Sequence, residues 1–512
     1  MEPAEGGQAS PRKVTINQSS MRVALCNEVI GDARVTAPKL RLLAADLFER
    51  PVRLRLPFRF GVVTLTEAPQ MFVRVRVKLA DGREGEGVAA EMLVPKWFDK
   101  SPNLSNEDNF DQLRRSLRMA RRCRLEAGLA TAFELAGGDD GIHHLACERA
   151  GLNGLVASYG LSLIDRAMID ALGRLEGASV FTLVGENRLG LDASTAHDLA
   201  GFDFTTFLAS LRPASSIQAR HTVGLVDAIT RAETEGKRLD DGLPESLEEA
   251  IATYGHRYFK LKLAGKIEAD IHRLADIASV LDRSPERYHV TLDGNEQYRD
   301  IEKVTELWRR ICDMKRLLRL RSSILFIEQP ITRGHALSES VLALSDQVPI
   351  EIDESDADVR VFPRARMLGY RGVSVKSCKG FYRALINRAR VALWNAEEPG
   401  RYFVSAEDLT AQAGVGVQQD LCLATLVGAT HVERNGHHYA DGMTAPPDEQ
   451  EAFLTRHPDL YHRAPDGRAR LTIRDGAIAL SSLDTPGLGF APLPDFDAMN
   501  KSPLPGPLRQ AV

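Results

Sequence analysis

Tyr258-Phe259-Lys260-Leu261-Lys262, Tyr288-His289-Val290-Thr291-Leu292-Asp293, Ile324-Leu325-Phe326-Ile327-Glu328, Val348-Pro349-Ile350-Glu351-Ile352-Asp353 and Gly372-Val373-Ser374-Val375-Lys376 are five short apolar runs, each ending on a charged residue. Runs of this length, rich in β-branched and aromatic residues, predict strands. The intervals between their terminal charges each hold a loop and a helix, as in successive βα units of a parallel sheet. Working outward, 216–226 supplies a strand before them, and 401–406 and 429–433 supply two after. Eight strands over this span suit an α/β barrel of roughly 250 residues. Such a barrel gathers its chemistry at the carboxyl ends of its strands, so the terminal charges read as one site.

A chain of 512 residues exceeds one small domain, and its 44% hydrophobic and 26% charged content is that of a soluble globular protein. A formal net charge of −5 argues against a nucleic-acid or membrane-surface partner. The six cysteines are scattered without a C-x-x-C pair, as expected of reduced thiols. No apolar core follows a basic start, and no apolar stretch is long enough to span a bilayer. The expected location is cytoplasmic.

Residues 1–45 are polar and read as an N-terminal extension, partly disordered or loosely packed. From there 46–190 reads as an α+β domain. Met71–Leu79 alternates strictly, Asp81-Gly82 turns the chain, and a second strand follows around 86–91. Helices are expected over 105–175, where Phe110, Leu113 and Leu117 share one face and Ile164, Ala167, Met168 and Ala171 another. The arginines at 114, 115, 118, 121, 122 and 124 read as an exposed helix face. The barrel occupies 216–440. The Pro- and Gly-rich segment 441–512 is expected to return to the first domain, with a hairpin between 469–473 and 477–480.

Residues two apart in a strand face the same way, so Lys260 and Lys262 point together into the barrel mouth while Phe259 and Leu261 face the helices. Buried ammonium groups need partners, and Asp293, Glu328 and Asp353 stand at matching heights on the next three strands. One reading is a structural ion-pair network. The other is a hard-cation site: three carboxylates suit Mg²⁺ or Mn²⁺, and no His or Cys stands there to favour zinc. Lys262 and Lys376 would then flank a small carboxylate substrate from opposite sides, one of them lowered in pKa to act as base. Abstracting a proton next to a carboxylate needs such a pairing, because it places a second negative charge on that group. A lysine base beside Mg²⁺ is a known pattern of enolase-type sites.

At these residues the sequence resembles the enolase superfamily, in its mandelate racemase/muconate lactonizing enzyme-like group and specifically the muconate-lactonizing branch. The matching pieces are K-x-K at Lys260/Lys262, D-x-N at Asp293/Asn295, I-E-Q-P at 327–330, D-E-S at 353–355 and Lys376 on the sixth strand. Pro57-Phe58-Arg59-Phe60-Gly61 and the Asp81-Gly82 hairpin resemble that family's capping domain. The resemblance implies a modified TIM barrel, (β/α)7β, with an α+β N-terminal cap. It implies Asp293, Glu328 and Asp353 as Mg²⁺ ligands and Lys262 and Lys376 as an acid/base pair. Lys260 would neutralise the substrate carboxylate or the enediolate intermediate. It also implies a homo-oligomer.

Lysines on both faces suit a racemase, epimerase or cycloisomerase. A dehydratase of acid sugars or hydroxy acids shares the first step and is the alternative. A non-catalytic metabolite-binding barrel is the alternative of another class. The stretch Val432-Glu433-Arg434-Asn435 lacks the D-x-D by which dipeptide epimerases hold an amine. Asn295, Glu407 and Asp408 are candidate substrate contacts, the last two equally readable as helix caps. Lys379 rivals Lys376 as base, Glu351 is placed to pair with Lys260, and His289 reads as a core residue.

Overall fold

The computed structural model describes residues 37–61 and 63–506. Most of the expected N-terminal extension therefore lies outside the described residues. Strand β1 (Lys39–Phe60) already includes 39–45, however, so those residues belong to the sheet and not to the extension. Their alternating burial, with Leu40 and Leu42 inside, explains why.

β1 and β2 (Val63–Leu79) form one long antiparallel hairpin, and β3 (Glu84–Met92) pairs with the other side of β2 across the Asp81-Gly82 turn. Val73, Val75 and Val77 are fully buried, while Arg74 and Lys78 on the opposite face pair with Asp46 and Glu84. A short strand β4 (Ala130–Thr131) adds to β1. Helices α1 (Asn106–Glu126), α2 (Ala132–Arg149) and α3 (Gly154–Glu176) cover the apolar face. Ser105 and Thr131 open the first two with reciprocal capping boxes. Asn153 caps α3, and Gly177 ends it in the left-handed conformation. Helix α3 is buried from Leu155 to Gly173, which accounts for its apolar residues all round.

The arginine run is an exposed face only in part: Arg122 is open to solvent, but the others are wholly or partly buried. Arg114 is buried against Glu49, Glu107 and Asp111, and Arg124 against Asp165. Arg115 and Arg118 donate to carbonyls of Gly506, Ser502 and Pro503. Glu49 from β1 and Asp165 from α3, both remote in sequence, turn part of what looks like a solvated stripe into an internal joint.

The barrel strands are β5 (Ser216–Val223), β6 (Tyr258–Lys262), β7 (His289–Asp293), β8 (Ile324–Glu328), β9 (Ile350–Ile352), β10 (Gly372–Val375), β11 (Phe403–Ala406) and β12 (His431–Arg434). All eight are parallel, and β12 pairs with β5 to close the ring. Phe259, Leu261, Val290, Leu292, Ile327, Ile350 and Val373 pack outward against helices such as Ile267–Leu281 and Ile301–Asp313. β12 is followed directly by the one-turn helix Gly436–Tyr439 and later by Pro447–Arg456, after which the chain returns to the cap. No ninth parallel strand is added to the ring among the described residues, so the architecture is (β/α)7β with an antiparallel cap.

The expected hairpin at 469–480 is replaced by two separate pairings. β14 (Ala469–Leu471) pairs with β13 (Tyr461–Arg463), whereas β15 (Ala477–Ala479) runs antiparallel to β5. The turn at Asp475-Gly476 reverses the chain, but β6 meets β5 only from Arg220 onward. The free edge at Ser216–Gln218 is what β15 covers. Further on, β16 (Asn500–Lys501) joins β1, and Glu449 forms a bidentate pair with Arg50. Among the described residues no helix is long and apolar enough to cross a membrane.

Sheet and helix approach most closely at Gly87, where an added Cβ would lie 2.3 Å from the Ala167 carbonyl oxygen. Gly87→Ala should therefore destabilise the fold by about 1–3 kcal/mol. A urea midpoint equal to the parent's would refute that reading of the joint.

Candidate active site

Strand alternation stacks the barrel interior in layers. At the floor, Tyr258 stacks on His289 and His431 at 4.7 and 4.8 Å, and Phe326 meets Phe403 at 5.0 Å. These aromatics close the amino end. His289 is thus a packing residue, as expected. Above the floor lies a charged layer centred on Lys260. Its Nζ donates to Glu328 at 2.9 Å, Glu407 at 2.5 Å and Glu433 at 2.9 Å, with Asp293 3.1 Å away. All three donors of the ammonium are engaged by protein carboxylates, leaving none for a substrate. The contacts of Lys260 in this structure are thus all with the acids of the barrel, which it compensates.

At the mouth, Lys262 lies 2.5 Å from Asp293 and Lys376 lies 2.9 Å from Asp353. β6 and β10 are four strands apart in a ring of eight, so the two lysines face each other across it. Register pairs Asp293 with Glu328 and Glu328 with Glu351, and the stagger of about one residue per strand in a tilted eight-stranded barrel brings Asp353, two strands and two residues further on, level with Asp293. Glu328 lies between them and slightly lower. Among the described residues, the acidic trio with oxygens within 4.8 Å of one another is Glu328, Glu351 and Glu407. The lysines account for the difference, each drawing its carboxylate toward its own wall.

Glu351 accepts from Ser405 at 2.7 Å, so Ser405 stands in the place expected for Lys260. Lys379, the rival base, contacts Asp353 at 3.3 Å and Asp356 at 3.4 Å and donates to Ser374 at 2.9 Å, behind the acid. Asn295 donates from its backbone to Asp293 at 2.7 Å and from its side chain to Glu354 at 2.9 Å. Glu407 is bound by Arg220, Ser405 and Lys260 within the charged layer. Asp408 accepts from the backbone N–H groups of Ala411 and Asn435, both at 2.8 Å, a loop-tying role.

Several contributors were not legible in the strand pattern. Glu433 was noted only for its missing neighbours, yet it is a full partner of Lys260. Gln329 accepts from the N–H groups of Asp353 at 2.8 Å and Ser355 at 3.1 Å, fixing the end of β9. Its φ of +30° and those of Asn295 (+44°) and Glu296 (+66°) mark strained backbone at the mouth. From the cap, Phe60 lies 5.9 Å over Lys262 and Trp97 lies 5.2 Å over Lys376. With Phe58 and Leu409 they enclose a cavity of only about 20 Å³. The tip of the β1–β2 hairpin reaches Asn295 at Gly61, where an added Cβ would meet Oδ1 at 2.7 Å.

Electrostatics follow from burial and pairing. Burial opposes ionisation of Asp293, but Lys260 and Lys262 outweigh it and hold the carboxyl below its usual range. Asp353 is lowered further: Lys376 and Lys379 prevail over burial. Burial, Asp293 and Glu407 push Glu328 well above the usual carboxylate value. Glu351 is raised to about 8 by burial and Glu407. Burial disfavours the Lys376 ammonium, but Asp353 raises it overall, the reverse of the depression expected of a base. That depression requires the Asp353 charge to be engaged elsewhere.

The donor chemistry fits a hard cation. Every acidic side chain at the mouth offers oxygen, and Glu354 Oε2, Asn295 Oδ1 and Glu351 Oε2 are buried without a hydrogen-bond partner. Unsatisfied buried acceptors beside carboxylates suit Mg²⁺ or Mn²⁺.

No family model and no curated protein matches the sequence. The structure is similar to a substrate-liganded L-Ala-D/L-Glu epimerase from Bacillus subtilis, with TM-score 0.56 and 16% identity over 88% of this chain and 98% of that one. It is similar to an enolase from Bradyrhizobium complexed with magnesium and mandelic acid, with TM-score 0.56 and 16% identity over 88% and 96% of the two chains. A muconate lactonizing enzyme from Pseudomonas fluorescens complexed with muconolactone gives TM-score 0.53 and 19% identity over 89% and 97%. Epimerases and a lactonizing enzyme match alike, so the likeness does not single out the muconate-lactonizing branch. The chain has the fold of the enolase superfamily, in its mandelate racemase/muconate lactonizing enzyme form.

Proposed function

We propose that this chain is a Mg²⁺-dependent isomerase of the enolase superfamily that removes and returns a proton α to the carboxylate of a small acid. The observation that carries the reading is the pair Lys262 and Lys376, inward-facing on diametrically opposed strands, each beside a carboxylate and under a cap aromatic. The epimerase, lactonizing enzyme and magnesium complex of the same fold support it. Dehydration keeps the first step but would show as loss of water from the product.

Asp293, Glu328 and Asp353 are the residues that would hold the cation, with Glu354 and Asn295 next to them. When bound, it supplies positive charge for the second negative charge that develops on the substrate carboxylate. Engagement of Asp293 and Asp353 there would free Lys262 and Lys376 from their acids. One lysine then takes the α-proton from its face of the substrate, and the other delivers a proton to the opposite face. Phe60 and Trp97 exclude water from both amines. The small cavity means that the hairpin tip must shift to admit any substrate larger than a few atoms.

In a screen of carboxylic acids in D₂O, the parent should incorporate deuterium at the α-carbon, giving a product heavier by that isotope and with no water lost. Lys262→Ala and Lys376→Ala should each slow turnover by at least about 10²-fold, and a Lys262→Ala enzyme as fast as the parent would remove the base assignment. Chelator-treated protein should lose exchange and regain it with Mg²⁺, whereas Asp293→Asn should stay inactive at the same Mg²⁺ concentration. Lys260→Met should lower stability by about 3–5 kcal/mol, since it strands buried carboxylates. An unchanged urea midpoint in that variant would show that the charged layer does not depend on this ammonium.

A further inference from the structure

Outside the barrel interior, three imidazoles from separate segments converge where the ring closes. His221 on β5 points outward, its neighbours Arg220 and Thr222 being the inward pair. His256 precedes β6, and His437 lies in the one-turn helix after β12. His437 Nε2 is 3.2 Å from His221 Nδ1 and 3.2 Å from His256 Nε2. The three ligand atoms lie within 4.8 Å of one another, and His221 and His256 are buried.

Neutral histidines cannot satisfy this arrangement among themselves. His256 Nδ1 is 3.3 Å from the Ala219 carbonyl, which can only accept, so that nitrogen carries the proton and Nε2 presents a lone pair. If His437 Nε2 carries a proton, two lone pairs compete for it. If it does not, it faces the His256 lone pair directly. The other nitrogen of that ring, His437 Nδ1, is buried without a partner.

A transition-metal ion satisfies all three lone pairs at once. With Zn–N bonds of 2.0–2.1 Å, ligand atoms of a tetrahedral site stand about 3.3 Å apart, close to both observed separations. The His256–Ala219 contact is the outer hydrogen bond that orients a metal-bound imidazole. Entry is available: His437 borders a cavity of about 220 Å³ lined by Tyr254, Arg434, His462 and Arg470. We infer that His221, His256 and His437 form a zinc-type divalent metal site that ties β5, the approach to β6 and the segment after β12 across the seam of the barrel. Its all-nitrogen ligands separate it from the oxygen-lined mouth.

To test this, full-length protein stripped with a chelator is titrated with Zn²⁺ in a large excess of Mg²⁺, using a chromophoric competitor. One equivalent should bind and raise Tm, and Co²⁺ in its place should give the intense visible bands of a four-coordinate nitrogen site. His437→Gln and His256→Gln should weaken Zn²⁺ binding at least about tenfold and abolish the Tm rise. Absence of Zn²⁺ binding by the parent under excess Mg²⁺ overturns the inference, as does a weak six-coordinate Co²⁺ spectrum. Both readouts on the parent stand even if the variants fold poorly.

Discussion

One ammonium group organises the interior of this barrel. Lys260 sits below the mouth with Glu328, Glu407, Glu433 and Asp293 around it, all buried. So many carboxylates in one dry space repel one another, and burial together with that repulsion raises Glu328 and Glu351. Charge compensation from Lys260, with Arg220 below it, lets four strands present acids without unfolding the ring. The mouth inherits its geometry from that layer. Strand alternation carries Lys260 to Lys262 and Glu351 to Asp353, two residues further along, and so sets the groups of the mouth above those of the charged layer.

The cap completes the site by shape more than by charge. A hairpin of two long strands extends far enough to set Phe60 and Gly61 over the mouth, and the Arg59 carbonyl accepts from Leu225 N–H at 3.1 Å. Phe58 stacks on Tyr439 at 4.3 Å, joining the hairpin to the segment that follows β12. Lys100 reaches Glu296 at 2.6 Å and Glu354 at 3.2 Å, so the cap's second contact is an ion pair at the ends of β7 and β9. Motion of the cap would change the solvation of both lysines together.

The barrel was legible in the sequence because each strand carries its own signal: a short apolar run, a polar or charged inward residue and a terminal charge. The same locality explains why Lys262, Asp293, Glu328, Asp353 and Lys376 could be read as inward groups at the strand ends, where the structure has them. What escaped depends on contacts between distant segments. Arg114 reads as a surface charge until Glu49 is placed beside it. Glu433 reads as a departure from a motif until the ring closes and brings β12 to β5. β15 carries a hairpin pattern, but its partner is the uncovered edge of β5, which no local rule reveals.

Near-symmetry about the mouth bears on the direction of chemistry. Each lysine has the same three surroundings: a carboxylate within 3 Å, an aromatic ring of the cap and the strand wall behind. Elimination needs a base on one side and an acid aimed at a leaving group, and it gains nothing from matched amines. Proton removal from one face and return to the other needs two groups of like kind that exchange roles between directions. The likeness extends to the second cation of each acid, Lys260 at 3.1 Å from Asp293 and Lys379 at 3.3 Å from Asp353. Either acid would therefore stay compensated when the lysine beside it is neutral, which is what a reaction running in both directions would ask of the pair.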